Sequence, residues 1–198
     1  MDRYSMGARI ILASASPRRR QLMAQLGIGC EVIESGADEL ACGSAYEQVE
    51  VLALRKARAV GRKVCGEAIV IAADTLVAVD EQILSKPADR AEAFKMLKTL
   101  QGRRHTVYTG VALLKVGPDG EERVISFVDY ADVFFRALDD GEINRYIDTG
   151  EPFDKAGAYG VQERGAALVA RVEGDYFTVV GLPLSRLVVA LEELGAGL

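Results

Sequence analysis

The sequence predicts an α/β protein built on a mixed, twisted sheet. Segments patterned as strands and helices alternate through the first half of the chain, which places helices against a partly parallel sheet. Two long strand-like segments then meet at Gly117-Pro118-Asp119-Gly120, a turn made of its usual residues, so hairpins dominate the middle. Between these lies an apolar run from Ala68 to Val79, broken only by Asp74-Thr75, which reads as a strand covered on both faces.

Arg9 to Ala13 reads as a buried strand. A helix follows from Pro17 to about Leu26, stopped by Gly27, a residue suited to the position just past a helix end. A second helix runs from about Ala45 to Val60, with Ser44 and Glu47 forming a capping box. After the Asp74 strand, Asp80-Glu81 turns the chain back through Ile83-Leu84 to Ser85-Lys86-Pro87. A third helix opens with Asp89 and Glu92 and ends before Gly102. Residues 104–116 and 121–135 are the two long strands, and a short helix begins at Asp139 and stops at Gly150. A loop dotted with Gly150, Gly157, Gly160 and Gly165 comes next. Ala167 to Val172 and Phe177 to Val180 are strand-like, and Pro183 to Leu194 is a final amphipathic helix.

With 198 residues the chain can build one large domain or two small lobes with a real core. No apolar stretch is long enough to span a membrane, and Met1 to Gly7 has no hydrophobic signal region. Cys30, Cys42 and Cys65 are odd in number and widely spaced; they fit neither a disulfide framework nor a thiolate zinc site, and they suit a reducing cytoplasm. His105 is the single histidine, which excludes a multi-histidine metal centre and directs any metal to carboxylate and substrate oxygens, hence magnesium or manganese. A net charge of −5 disfavours a nucleic-acid polymer as partner. The oligomeric state stays open, a homodimer included.

Asp74 is the most informative residue. A carboxylate inside a covered strand must find a cation, a metal or a donor, or be protonated, and acids of this kind collect at active sites. The plain alternative is that Asp74 ends one strand and opens a turn. Ser14-Ala15-Ser16-Pro17-Arg18-Arg19-Arg20 joins the first strand to the first helix, with Ser16 at the N-cap and Pro17 at the first helical position. Three arginines in a first turn oppose the helix dipole, and make sense where an anion docks on the free N–H groups and guanidinium forks; a solvated basic turn is the alternative. No Walker or dinucleotide glycine motif is present.

Lys56 falls inside the apolar stripe Val49, Leu52, Ala53, Ala57 and Val60. Its ammonium either snorkels to water or enters a cleft against phosphate or Asp74. Lys86 and Asp38-Glu39 are weak signals by themselves. His105 has no nucleophile motif beside it and suits a structural hydrogen bond. In the loop from Gly150 to Gln162, glycines permit close backbone approach, and Tyr159 and Gln162 could frame a flat polar ring; a loop that merely wraps a sheet is the alternative.

Together these segments resemble the Maf family of nucleoside triphosphate pyrophosphatases. The matching pieces are Ile11 to Arg19, Asp38-Glu39, Leu52-Ala53 with Lys56-Ala57, Ala73-Asp74-Thr75, Lys86-Pro87, Thr109 to Leu113, Gly150 to Gln162, and Val179 to Leu184. They span nearly the whole chain in family order. The resemblance implies one domain over residues 1–198, with two lobes around a deep cleft, as in the inosine-triphosphate pyrophosphatase fold. It implies hydrolysis of a nucleoside triphosphate to monophosphate and pyrophosphate with a divalent metal, Mg2+ or Mn2+, and a role in removing non-standard nucleotides. One branch of the family prefers dTTP and UTP and typically reads S-P-R-R, A-D-T and D-K-A-G-A-Y-G-I-Q. Another prefers 7-methyl-GTP and typically has tryptophan for the first arginine and glutamine after the aspartate. Arg18, Thr75 and the Asp154 to Gln162 segment match the first branch. Thr178, where asparagine is usual, and Ser85, where glycine or glutamate is common, are departures that bear on local packing.

On this resemblance Asp74 is the general base, with metal contact as a second role left open. Glu39 joins it as metal ligand, Arg18, Arg19, Lys56 and Lys86 hold the triphosphate, and Ser14 donates to a phosphate oxygen. Arg18, Thr75 and Gln162 set specificity. A non-catalytic nucleotide- or protein-binding regulator of septum formation is the alternative from another class; the 7-methyl-GTP branch is the alternative within the family.

Overall fold

The computed structural model describes residues 9–80 and 82–197. Met1 to Gly7, and Glu81 of the expected turn, lie outside the described residues. The described strands are β1 (Arg9–Leu12), β2 (Glu31–Val32), β3 (Ala68–Val79), β4 (Gln82–Leu84), β5 (Arg104–Val116), β6 (Glu122–Phe135) and β7 (Val169–Gly174). The helices are α1 (Pro17–Gln25), α2 (Ala45–Gly61), α3 (Arg90–Leu100), α4 (Asp140–Ile147), α5 (Tyr176–Val180) and α6 (Leu184–Glu193). The strands form a sheet in the order β2-β1-β3-β5-β6-β7, with β4 paired to β3 off that path. β1 runs parallel to β2 and β3, whereas β4 is antiparallel to β3 and β7 to β6. The mixed sheet expected from the alternation of elements is present. No helix among the described residues is long and apolar enough to cross a membrane.

The chain forms two compact units. One comprises the residues through Asp74, Thr109–Asp129 and the chain from Gly181; the other comprises Thr75–Tyr108 and Tyr130–Val180. In the first unit, strand alternation puts Ala68, Val70 and Ala72 of β3 on one face. They pack with Ala112, Leu114 and Val116 of β5 and with Ala53, Ala57 and Val60 of α2. The Ser44–Glu47 capping box that starts α2 is formed: Glu47 N–H donates to Ser44 Oγ at 3.3 Å and Ser44 N–H to Glu47 Oε2 at 2.8 Å. α1 ends as its Gly27 predicts. The Gly27 N–H reaches Ala24 O and the Ile28 N–H reaches Met23 O, with Gly27 at φ 72°.

The second unit packs Val77, Val79 and Leu84 with Ala93, Met96, Leu97 and Leu100 of α3 and with Ile143, Tyr146 and Ile147 of α4. Asp89 caps α3 through the Glu92 N–H, but Glu92 Oε2 accepts from Ala88 N–H, one residue before the cap. Asp139 and Glu142 cap α4 reciprocally.

Two segments depart from the sequence reading. Phe177 to Val180 is helical, within α5, and not a strand. Its β-branched residues suit a strand, yet Gly174 turns the chain at φ 114° and Asp175 Oδ1 then accepts from the Phe177 N–H at 2.9 Å. That local capping starts a helical turn before the apolar run can extend. Ala167 and Leu168 belong to a 3₁₀ turn, and β7 begins at Val169. β2 was not anticipated, because two residues are too short to show alternation.

His105 sits in β5 at 2% exposure, its Nε2 sharing a hydrogen bond of 2.7 Å with the Tyr159 hydroxyl. Phe135 and Tyr159 stack edge-on against it. The structural role expected of His105 is what the geometry supports. Tyr159, however, is buried in this core and cannot also frame a ligand ring, so that expectation is corrected. Its phenol is the anchor that fastens the glycine-dotted loop to β5. Nδ1 of His105 finds no partner among the described residues.

Burial lowers the His105 pKa from its usual 6.5 to about 4, against a weaker opposing pull from Asp132. A depressed histidine stays neutral in the folded chain while the unfolded chain takes up a proton. Stability should therefore be full above pH 6.5 and fall as pH drops from 6.5 toward 4. The part due to His105 amounts to roughly 3 kcal/mol across the window. Urea melts of the wild type and of His105→Phe test this, the variant lacking this part of the pH slope.

Candidate active site

β1 ends at Leu12, whose register partner on β3 is Ile71. The chain then turns through Ser14 into α1, while β3 continues past that point to Asp74. Chemistry in α/β sheets gathers at such carboxyl ends of parallel strands. Asp74 has the same parity as Ala68, Val70 and Ala72, so it faces α2. Lys56 of α2 meets it there: Nζ lies 2.6 Å from Asp74 Oδ1 and 2.7 Å from Glu39 Oε1. The side chains of Lys56 and Asp74 are 11% and 12% exposed, whereas that of Glu39 is 65% exposed. The Lys56–Asp74 contact is therefore the buried one, and the Glu39 contact is a solvated arm on the same cation.

This resolves two open readings. Asp74 does not end a strand, since β3 runs five residues beyond it to Val79. Lys56 does not snorkel, because its ammonium is spent on carboxylates.

The arginine-bearing turn packs beside this pair within the same unit. Ser16 occupies the N-cap of α1 with extended backbone, but its side chain caps nothing. Ser14 Oγ instead accepts from the Ser16 N–H at 3.2 Å and from Arg19 at 3.2 Å. Arg19 Nε donates to Gly181 O at 2.8 Å, which gives the Val179 to Leu184 motif a use: its carbonyl aims the guanidinium. Burial lowers the Arg19 pKa, Asp74 and Glu39 pull it back up, and Arg18 pushes it down. Arg19 is thus within the electric field of Arg18, Glu39 and Asp74. The first turn of α1 contains no acidic residue. A helix N-terminus without a side-chain cap, flanked by two guanidinium groups and a serine hydroxyl, is suited to a multiply charged phosphate.

Thr75, Lys86 and Gln162 belong to the second unit. Thr75 is half-buried in β3, Lys86 is exposed and Gln162 is half-buried. The Gly157 N–H donates to Ser85 O at 3.1 Å, so the glycine-dotted loop is tied to the segment that presents Lys86.

Among the described residues no group of three or more His, Cys, Asp and Glu side chains is arranged to hold a metal ion. Asp74 and Glu39 nonetheless converge on one cationic centre. Two hard carboxylates suit Mg2+ or Mn2+, which complete their shells with water and phosphate oxygens.

Gly110 is a residue whose role the sequence did not disclose. A Cβ there would sit 2.2 Å from Val49 O, so α2 rests directly on the β5 backbone. That close approach sets the height of α2 over the sheet, and with it the position of Lys56. The only earlier signal was its place in the Thr109 to Leu113 segment.

The family described as Maf-like protein matches residues 9–194. A dTTP/UTP pyrophosphatase of Symbiobacterium thermophilum is 52% identical over 188 residues, covering 94% of each chain. One from Thermoanaerobacter sp. is 49% identical over 180 residues, covering 90% of this chain and 93% of the other. One from Bacillus cytotoxicus is 45% identical over 191 residues, covering 96% of this chain and 97% of the other. Among solved structures, a nucleoside-triphosphatase / dITP/XTP pyrophosphatase of Mycobacterium abscessus aligns with 96% of this chain and 97% of its own at 18% identity, with a TM-score of 0.41.

Gly110→Ala should destabilise the protein by about 1–3 kcal/mol, the usual range for overpacking. Urea denaturation measures this, with Gly29→Ala as the control, since a Cβ there meets nothing within 4 Å. The control should melt near the wild type.

Proposed function

The chain belongs to the Maf-like protein family, and from that premise we propose that it is a nucleoside triphosphate pyrophosphatase acting on dTTP and UTP. Relatives of that name, at 45–52% identity over most of the chain, support the substrate class. The observation that carries the chemistry is the buried Lys56–Asp74 pair with Glu39 on the same ammonium.

Asp74 is the general base. It takes a proton from water as the water oxygen bonds to phosphorus at the α–β bridge. The bridging P–O bond breaks, and the products are nucleoside monophosphate and pyrophosphate. Lys56 orients Asp74 through their 2.6 Å contact, and it is assigned with Arg18 and Arg19 to triphosphate binding. The Ser14 hydroxyl donates a hydrogen bond to a phosphate oxygen. Lys86 is assigned to triphosphate binding. These cations oppose charge that grows on the departing oxygens, which is where electrostatic stabilisation counts most. Asp74 and Glu39 are the residues that would hold a divalent cation, Mg2+ or Mn2+, which would supply Lewis-acid neutralisation of the triphosphate. Arg18, Thr75 and Gln162 are assigned to specificity. An amide offers one donor and one acceptor edge, a match for the imide of thymine or uracil. The thiols of Cys30, Cys42 and Cys65 are unbridged, which fits a cytoplasmic setting.

Asp74→Asn is expected to retain nucleotide binding while turnover falls at least about a hundredfold, the usual scale of a general-base effect. Equilibrium binding alongside steady-state kinetics reads both; near-native turnover would remove Asp74 from the mechanism. In the wild type, dTTP and UTP should be cleaved at least about tenfold better than GTP or 7-methyl-GTP, a difference of about 1.4 kcal/mol at the transition state. Monophosphate and pyrophosphate should appear in equal amounts. Nucleotide chromatography with separate phosphate and pyrophosphate assays decides this, and diphosphate with orthophosphate would mean that the wrong bond has been assigned.

A further inference from the structure

The loop that carries Gln162 is held in a conformation its own residues do not favour. Ala158 and Glu163, neither of them glycine, have φ of 61° and 54°. Left-handed backbone at such residues costs free energy and persists only where surrounding contacts over-determine it. Glu163 is the residue immediately after Gln162, so the direction of Gln162 depends on whatever enforces that geometry.

Tyr146 and Glu151 enforce it. Tyr146 projects from α4 and is buried, and its hydroxyl accepts from the Gly160 N–H at 3.2 Å. The same hydroxyl donates to Glu151 Oε1 at 3.0 Å. Glu151 Oε1 also accepts from the Gly165 N–H at 3.1 Å, and Oε2 accepts from the Arg164 N–H at 3.2 Å. Gly160 and Arg164 are thus fastened to two side chains that bond to each other, and Gln162 lies midway between them. The crossing is tight: a Cβ on Gly165 would lie 2.1 Å from Gly160 O and 2.8 Å from the Tyr146 hydroxyl. Burial raises the Tyr146 pKa far above its ordinary value, so the hydroxyl remains a donor to the carboxylate.

We infer that Tyr146 and Glu151 are positioning residues for substrate selection, closing the Gly160–Gly165 backbone into a rigid bend that sets the direction of the Gln162 amide. This rests on the reading that Gln162 contacts the base. Neither residue touches substrate; each acts through the backbone it holds. An amide aimed before the nucleotide arrives selects by hydrogen-bond geometry without an added ordering cost.

The test uses Tyr146→Phe, with Glu151→Gln as the second variant and Gln162→Ala as the reference. Hydrogen exchange of the amides from Ala158 to Gly165 reads the bend without any substrate. Loss of the Tyr146 hydroxyl should speed exchange at Gly160 at least about tenfold, local opening being limited by such bonds. The ratio of kcat/KM for dTTP over GTP should fall at least about threefold in Tyr146→Phe, through a higher KM for dTTP with kcat nearly kept. In the Gln162→Ala background Tyr146→Phe should leave the ratio where Gln162→Ala put it. Unchanged exchange in both Tyr146→Phe and Glu151→Gln overturns the bend itself. Faster exchange with equal losses for dTTP and GTP shows a structural tie only and overturns the selection role. An unchanged ratio in Gln162→Ala overturns the base-reading assignment, and the positioning role falls with it.

Discussion

Much of the first unit follows from the need to bury one carboxylate. Asp74 lies in a strand whose preceding residues are fully enclosed, and a bare charge there would cost several kcal/mol or more. Lys56 answers it from α2, and that requires α2 to lie close to the sheet with its stripe of Ala53, Ala57 and Val60 facing inward. Small residues in the stripe and Gly110 beneath Val49 permit the close approach. Replacing the pair with apolar groups could serve stability equally well. Its retention is better explained by use, since a paired acid beside clustered cations is equipped for phosphate chemistry.

The second unit handles a different constraint, which is to hold a glycine-dotted loop still. It does so with polar anchors at intervals: Tyr159 on His105, Gly157 on Ser85, and Gly160, Arg164 and Gly165 on the Tyr146–Glu151 pair. Glycines there permit tight crossings, and the anchors remove the freedom that glycine brings. Lys155, itself buried, adds a bond to Glu151 O at 2.7 Å and another to Asp154. The unusual composition of this loop is thus explained largely by self-fastening, with Gln162 midway along the fastened stretch.

Long elements with strong signals were legible in the sequence. The capping box of α2, the start of α4 at Asp139, Gly27 after α1, and the Gly117 to Gly120 turn all correspond to local chemistry that the structure retains. Phe177 to Val180 misled because propensity favours a strand, while Gly174 and the Asp175 side chain impose a helical turn. Tyr159 misled for another reason: an aromatic in a loop can face a ligand or the core, and no local pattern tells which. The Lys56–Asp74 contact was one of several alternatives in the sequence, since a lysine in an apolar stripe could equally snorkel to water or meet phosphate. Their pairing needed the three-dimensional register of α2 on β3. Arg19 on Gly181 was out of reach for the same reason, the partners being far apart in the chain.

The central claim is that Lys56 and Asp74 act as one unit in hydrolysis. A double-mutant cycle on kcat/KM for dTTP, using Lys56→Met, Asp74→Asn and the double variant, tests it most directly. Groups that act as a unit lose function in a strongly non-additive way. The account predicts that the double variant is about as impaired as the worse single variant, within about threefold. Losses that simply multiply would contradict it and leave the two residues as independent neighbours.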